Sequence, residues 1–87
     1  MAISVTSIML ACSGEIGVPP HGLPGELFFN ECLVTGLGEA IIMVGGKEHG
    51  TIPLTSASTL ITKAQILAFL GSANVPGAIV SILFKPA

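Results

Sequence analysis

The stretch from Gln65 to Phe84, QILAFLGSANVPGAIVSILF, contains no charged residue over twenty positions. A helix that crosses a bilayer needs about 20 predominantly apolar residues, so the stretch is long enough to be a membrane segment. The alternative is a set of shorter elements whose apolar surface is covered by protein. Local sequence signals separate these two interpretations.

Those signals divide the stretch into a helix, a turn and a strand. Thr62 and Gln65 have the spacing of a capping box, in which each side chain satisfies a backbone N–H of the other. The spacing predicts a short helix over residues 63–70. Residues 75–77, Val-Pro-Gly, are typical of a turn, and residues 78–84 are rich in β-branched and large apolar side chains. A membrane segment using Gln65 to Phe84 therefore stays only as an alternative, since helix-breaking residues cluster near its middle.

Strand patterns occupy most of the remaining chain, where apolar and β-branched residues alternate or run together. The predicted strands cover residues 3–12, 26–35, 40–44 and 51–55. Pro53 has no N–H, which predicts an edge strand or a bulge there. Residues 45–50 are predicted to form a hairpin loop longer than two residues. We expect one β-rich α+β domain over residues 1–87, sandwich or barrel-like, with about five strands and one short helix.

The composition indicates that an isolated monomer of this kind would leave apolar surface exposed to water. Hydrophobic residues make up 51% of the chain and charged residues only 9%, against about 25% charged residues in soluble domains. A domain of this size buries only about 60–65% of the surface that its unfolded chain exposes. Exposed apolar surface of this kind marks a contact with protein or membrane. We expect other protein subunits, in a homo-oligomer or a larger assembly, to cover it.

Residues 13–25, SGEIGVPPHGLPG, are predicted to be a long loop because they combine four glycines with three prolines. Apolar side chains in such a loop would be exposed unless a partner covers them, so the loop is a candidate contact segment. The predicted contact residues are Ile16, Val18, Pro19, Pro20 and Leu23.

The cysteines and histidines form no recognised metal motif. Cys12, His21, Cys32 and His49 are nine, eleven and seventeen residues apart, whereas zinc modules place their ligands in close pairs. We therefore expect no metal and no other cofactor, with a zinc-binding module as an alternative. No basic region precedes the first apolar residues, so we expect no signal peptide, a virion or cytoplasmic location and reduced cysteines. A Cys12–Cys32 disulfide is possible if their strands pair.

The chain lacks the residues that two classes of function, nucleic-acid binding and catalysis, usually require. The chain has no Arg, Trp or Tyr, and its three lysines are scattered, so we expect no nucleic-acid partner. It has no Asp, and both histidines lie in segments rich in glycine or proline, so no nucleophile–base arrangement can be assembled. We expect a protein that is not an enzyme.

The general character of the chain resembles small phage virion proteins such as capsid cement and tail-tip subunits. Two short segments, SIMLACS at residues 7–13 and VGGK at residues 44–47, are similar to pieces of PAAR-like spike-tip proteins. That resemblance implies a cap on a phage tail or secretion spike, and zinc held by His and Cys. The sequence therefore predicts a structural assembly protein, with a spike tip as one form of it.

Overall fold

A computed structural model of the chain describes residues 8–18 and 26–87. These residues form a strand-rich α+β domain with one short α-helix, which confirms the predicted fold class. The strands are β1 (Met9–Ile16), β2 (Leu27–Phe28), β3 (Cys32–Thr35), β4 (Gly38–Val44), β5 (Lys47–Leu54), β6 (Ser58–Ile61) and β7 (Ile79–Pro86). The α-helix is α1 (Lys63–Leu70), followed by a 3₁₀ turn at Gly71–Ala73.

Five strands form one antiparallel sheet in the order β2-β1-β7-β4-β5. The remaining strands, β3 and β6, pair with each other in a separate two-stranded sheet. Strand β7 lies at the centre of the larger sheet, where it pairs with β1 on one side and β4 on the other. The larger sheet is open, with β2 and β5 at its edges.

The hydrophobic core lies on one face of the larger sheet. Alternate residues of its central strands are fully or almost fully buried there, namely Ala40, Ile42, Val44, Val80 and Ile82. Helix α1 packs onto this face through Ile66 and Leu70, and the small sheet packs onto it through Val34 and Ile61. The domain therefore has two layers, and the smaller layer covers one face of the larger sheet.

The uncharged stretch divides as its local signals predict. The Gln65 N–H donates to Thr62 Oγ1 (3.3 Å) and the Thr62 N–H donates to Gln65 Oε1 (2.8 Å), so the predicted capping box is confirmed. The Ala78 N–H donates to the Val75 carbonyl (3.1 Å) across the predicted turn, and β7 follows. Within residues 8–18 and 26–87, no helix is long and apolar enough to cross a membrane.

The hairpin between β4 and β5 is tighter than predicted. Its turn consists only of Gly45 and Gly46, with φ values of 59° and 85°. Positive φ at both positions is what a two-residue type I′ turn requires, and glycine adopts it without strain. The polar residues that follow, which suggested a longer loop, belong to β5 instead, and a shift in register near Ile42 and Met43 accommodates His49. Pro53 lies on the edge strand β5, as predicted.

Three further predictions differ from the structure. Strand β1 continues to Ile16, through residues predicted as loop, because β7 pairs with it as far as Glu15. The predicted strand over residues 26–35 is two strands, because Phe29 turns into the core and the chain leaves the larger sheet to pair with β6. Strand β6 was not predicted at all. Residues 3–7 of the first predicted strand lie outside the described residues.

Candidate protein-contact surface

The face of the larger sheet that points away from the core carries a continuous group of apolar side chains. Leu10, Leu83 and Ile41 stand opposite one another on β1, β7 and β4, so they form one row across three strands. The neighbouring row places Ser81 beside Met43. We call the following residues the open face: Leu10, Ile41, Met43, Ile79, Ser81 and Leu83.

The open face is accessible at its margins and tightly packed at its centre. Leu10 is 62% exposed and Ile79 is 52% exposed, whereas Ile41 is only 9% exposed between its neighbours on the central strands. Helix α1 and the small sheet both pack on the opposite face. Among the elements that the structure describes, none lies over the open face. A sheet face with leucine and isoleucine at its centre that no described element covers is suited to docking against protein.

Charged residues frame this apolar area at both ends of the strands. Glu39 stands opposite Lys85 at one end, and Glu15 stands opposite Ile79 at the other. Glu48 lies beside Met43 on the edge strand β5. An apolar centre with a charged margin is the arrangement found in protein–protein interfaces.

A groove of about 570 Å³ deepens the open face where two glycine-containing turns meet. It is lined by Met43, Gly45, Gly46, Gly77, Ala78, Ile79, Ser81 and Leu83. The groove exists because the Gly45-Gly46 hairpin and the Val75–Ala78 turn contribute little side-chain volume at this end. Apolar side chains of a partner inserted into such a groove are the contacts that carry most binding energy in interfaces.

The predicted contact loop is only partly described, and one of its residues is corrected. Ile16 is buried in the core, because β1 extends through it and its side chain lies beside Leu27. Its assignment as a partner contact is therefore wrong. Val18 is 46% exposed, and its Cγ2 lies next to Gly77 at the groove end of the open face. Pro19, Pro20 and Leu23 lie outside the described residues.

The predicted reduced cysteines are also corrected, because Cys12 and Cys32 form a disulfide. Their Cα atoms are 6.3 Å apart, within the range that a disulfide spans. The bond joins β1 of the larger sheet to β3 of the small sheet. The prediction failed because it relied on redox compartment, which the sequence does not specify, while the fold brings the two strands together.

The alternative zinc set does not assemble among the described residues. Both cysteines are consumed by the disulfide, and His49 lies on β5, which β7 and β4 separate from β1. At about 4.8 Å per strand, His49 is roughly 14 Å across the sheet from Cys12. His21 lies outside the described residues, and in residues 8–18 and 26–87 no three His, Cys, Asp or Glu side chains are grouped as metal ligands.

The sequence predicts surplus apolar surface on one sheet face as well as on the proline-rich loop, but it does not locate that face, although a signal for its position exists. Residues 40–44 and 79–84 are apolar at nearly every position, instead of alternating with polar residues. Such runs indicate a strand that is covered on both faces, and residues 8–18 and 26–87 cover only one of them. The open face is identified from its geometry, since no protein-family model, no curated protein and no solved structure matches the chain.

Proposed function

We propose that the protein is a non-enzymatic structural protein that occupies a fixed place in a larger protein assembly, with its open face against a neighbouring subunit. The row formed by Leu10, Leu83 and Ile41 carries this proposal. Side chains of this kind at the centre of a sheet are stabilised by burial at about 25 cal/mol per Å². Leu10 and Ile79, which are 62% and 52% exposed, would gain this burial from a partner surface, since no described element covers them.

The size of the open face sets the kind of contact. Strands β1, β7, β4 and β5 at about 4.8 Å each and eight residues at about 3.3 Å give this whole side of the sheet a size of roughly 19 by 26 Å, with the open face as its apolar centre. Docking would bury on the order of 500 Å² on each partner, or about 1,000 Å² in total, which is the lower bound for a specific interface. A partner that presents a flat sheet or a helix with an apolar face fits this surface. Several such contacts in a particle would hold the subunit more firmly than one.

The more specific form of the proposal is a virion component, of the capsid cement or tail-tip type. The Cys12–Cys32 disulfide supports it, because disulfides persist on virion surfaces and other oxidising surroundings and are rare in the cytoplasm. The same bond favours a cement-like subunit over a zinc-binding spike tip, since the two cysteines serve each other instead of a metal. We therefore propose no cofactor.

The first prediction tests the open face with the double substitution Leu10→Glu and Leu83→Glu. Two carboxylates in one cross-strand row would have to be desolvated, unpaired, against an apolar partner, while the core on the opposite face is untouched. We expect the tagged variant to be lost from the high-molecular-weight fraction of source-cell extracts, in which the tagged wild-type chain sediments. Its thermal melt should fall by no more than about 8 °C, because two like charges directly opposite each other destabilise a strand pair by up to about 1 kcal/mol.

Leu67→Glu is the matched control, because Leu67 is a similarly exposed leucine on α1, in the other layer. It should sediment as the wild type does. If the wild-type chain remains a dispersed monomer in extracts and at high concentration, or if the open-face variant sediments with the wild type, the proposal is wrong.

A further inference from the structure

Among the described residues, no strand pairs with the edge of β6 that faces away from β3. The Gly36 N–H donates to the Ala57 carbonyl (2.8 Å), which makes these two residues a hydrogen-bonded pair of the β3–β6 ladder. Hydrogen-bonded and non-hydrogen-bonded pairs alternate in antiparallel sheets. The backbone groups of Ser58 and Leu60 therefore point away from β3. Among the described residues, none bonds to them.

This edge lacks the features that usually prevent strands from adding to a sheet. The long edge strand of the larger sheet, β5, carries Lys47, Glu48 and Pro53, and β2 at the other edge is only two residues long. Charge, proline and short length are the common protections of an edge. Strand β6, with the sequence STLI, has no charged residue, no proline and no glycine.

We propose that β6 pairs antiparallel with β6 of a second copy of the chain, about a twofold axis through Thr59. In this register, Ser58 of each copy pairs with Leu60 of the other, so four backbone hydrogen bonds join the two copies. A register centred on Leu60 would instead require the Thr62 N–H, which already donates to Gln65 Oε1 in the capping box. The helix cap therefore rules out the Leu60-centred register, whereas the Thr59-centred register uses only the outward backbone groups of Ser58 and Leu60 within β6.

The side chains beside this edge also suit a second copy. Leu33 and Leu60 stand opposite each other on β3 and β6, and they are 63% and 47% exposed. Pairing about Thr59 extends these two leucines into a strip of four across the twofold axis. On the other side of the sheet, Thr59 meets its own copy, and Thr–Thr pairs are favourable across strands. This contact is separate from the open face, so it stands whether or not the open face binds a partner.

Leu60→Pro tests the hydrogen bonds directly. It removes the outward N–H from each copy while leaving the β3–β6 ladder intact, because that N–H does not bond to β3. Two lost hydrogen bonds at about 1 kcal/mol each correspond to a dimer roughly 30-fold weaker, measured by sedimentation equilibrium. The matched control is Thr35→Pro, which removes an N–H that points to the far side of β3 and leaves all four leucines in place. It alters the opposite edge and should leave dimerisation within a few-fold of wild type.

A second measurement fixes the register even if either proline variant fails to fold. Thr59→Cys places two sulfur-bearing residues about 4.5 Å apart at their Cα atoms, within bridging range. Leu60→Cys places them on the diagonal, about 7–8 Å apart and out of range. We expect mild oxidation to cross-link only Thr59→Cys, as seen by mass spectrometry. A wild-type chain that stays monomeric at millimolar concentration, equal dimerisation by Leu60→Pro, or cross-linking only through Leu60→Cys would overturn the proposal.

Discussion

Cys12 and Cys32 join two strands that share no backbone ladder, because β1 lies in the larger sheet and β3 in the small one. The small sheet has only two strands, and an isolated pair of strands is marginally stable. The disulfide therefore fastens the weaker part of the second layer to the stronger sheet. The bond closes a loop across 20 residues of sequence separation.

We predict that replacing both cysteines, Cys12→Ala with Cys32→Ala, lowers the free energy of unfolding by about 3 kcal/mol, from the chain entropy that a loop of this length removes from the unfolded state. Denaturant unfolding measures the loss. Adding a reductant to the wild-type chain should produce a similar loss and should leave the double variant unchanged. A wild-type melt that does not respond to reductant would contradict the prediction.

Sequence spacing alone leaves the pairing of these cysteines open. The bond depends on the chain leaving the larger sheet at Phe29, after β2. It also depends on β3 pairing with β6 in the small sheet. Neither event has a local signal, since residues 26–35 form one continuous strand pattern. Ile16 was misassigned for the same reason, because the end of β1 is decided by its neighbours β7 and β2.

At the scale of elements, the position of α1 on the larger sheet depends on a glycine in β5, Gly50. The ring of Phe69 lies over Gly50 on β5, where a Cβ would overlap the ring. Because Gly50 has no side chain, the helix can approach the core face of the larger sheet closely. This contact is independent of the capping box, which determines where the helix begins.

We predict that Gly50→Ala lowers the stability of the domain by about 1–3 kcal/mol, the usual cost of overpacking. Phe69→Ala removes the atoms that the new Cβ would meet. In the Gly50→Ala/Phe69→Ala double variant, the two effects should therefore be smaller than additive. A double-mutant cycle by chemical denaturation measures the coupling energy. Additive losses would show that the ring and the new methyl group do not meet.

Elements with local signals were the predictable ones. Helix α1 has its cap, the β4–β5 hairpin has Gly45-Gly46, and β7 follows a Val-Pro-Gly turn. Strand β6 lies between two polar segments and has only four residues. Its extended conformation therefore depends on pairing with β3. Composition predicted that apolar surface would be left over, but locating it required the register of β1, β7 and β4.

At the scale of the whole molecule, the two proposed contacts belong to different layers. The open face lies on the outer side of the larger sheet, and the β6 edge belongs to the small sheet on its inner side. A subunit that uses both contacts at once can link a dimer partner to a different neighbour. Such a subunit can connect parts of a particle without any catalytic group.

We predict that combining Leu10→Glu, Leu83→Glu and Leu60→Pro gives a monomer that retains the fold. The substitutions lie at sites with no shared partners, so their effects on association should be independent and their effects on stability additive. Sedimentation velocity measures association, and thermal unfolding measures stability. The open-face pair alone should still dimerise through β6. Loss of the dimer in that variant would contradict the prediction, because it would show that the open face and the β6 edge do not act as separate contacts.

The central place of β7 has a consequence for how the chain folds. Strand β7 follows all the other described strands along the sequence, yet both β1 and β4 pair with it. Until β7 is synthesised, β1 lacks its main partner and one edge of β4 is unpaired. Contacts between such distant parts of a sequence close slowly, on the order of milliseconds to seconds in strand-rich domains. The nascent chain therefore passes through a period in which unpaired apolar strands must be kept from one another.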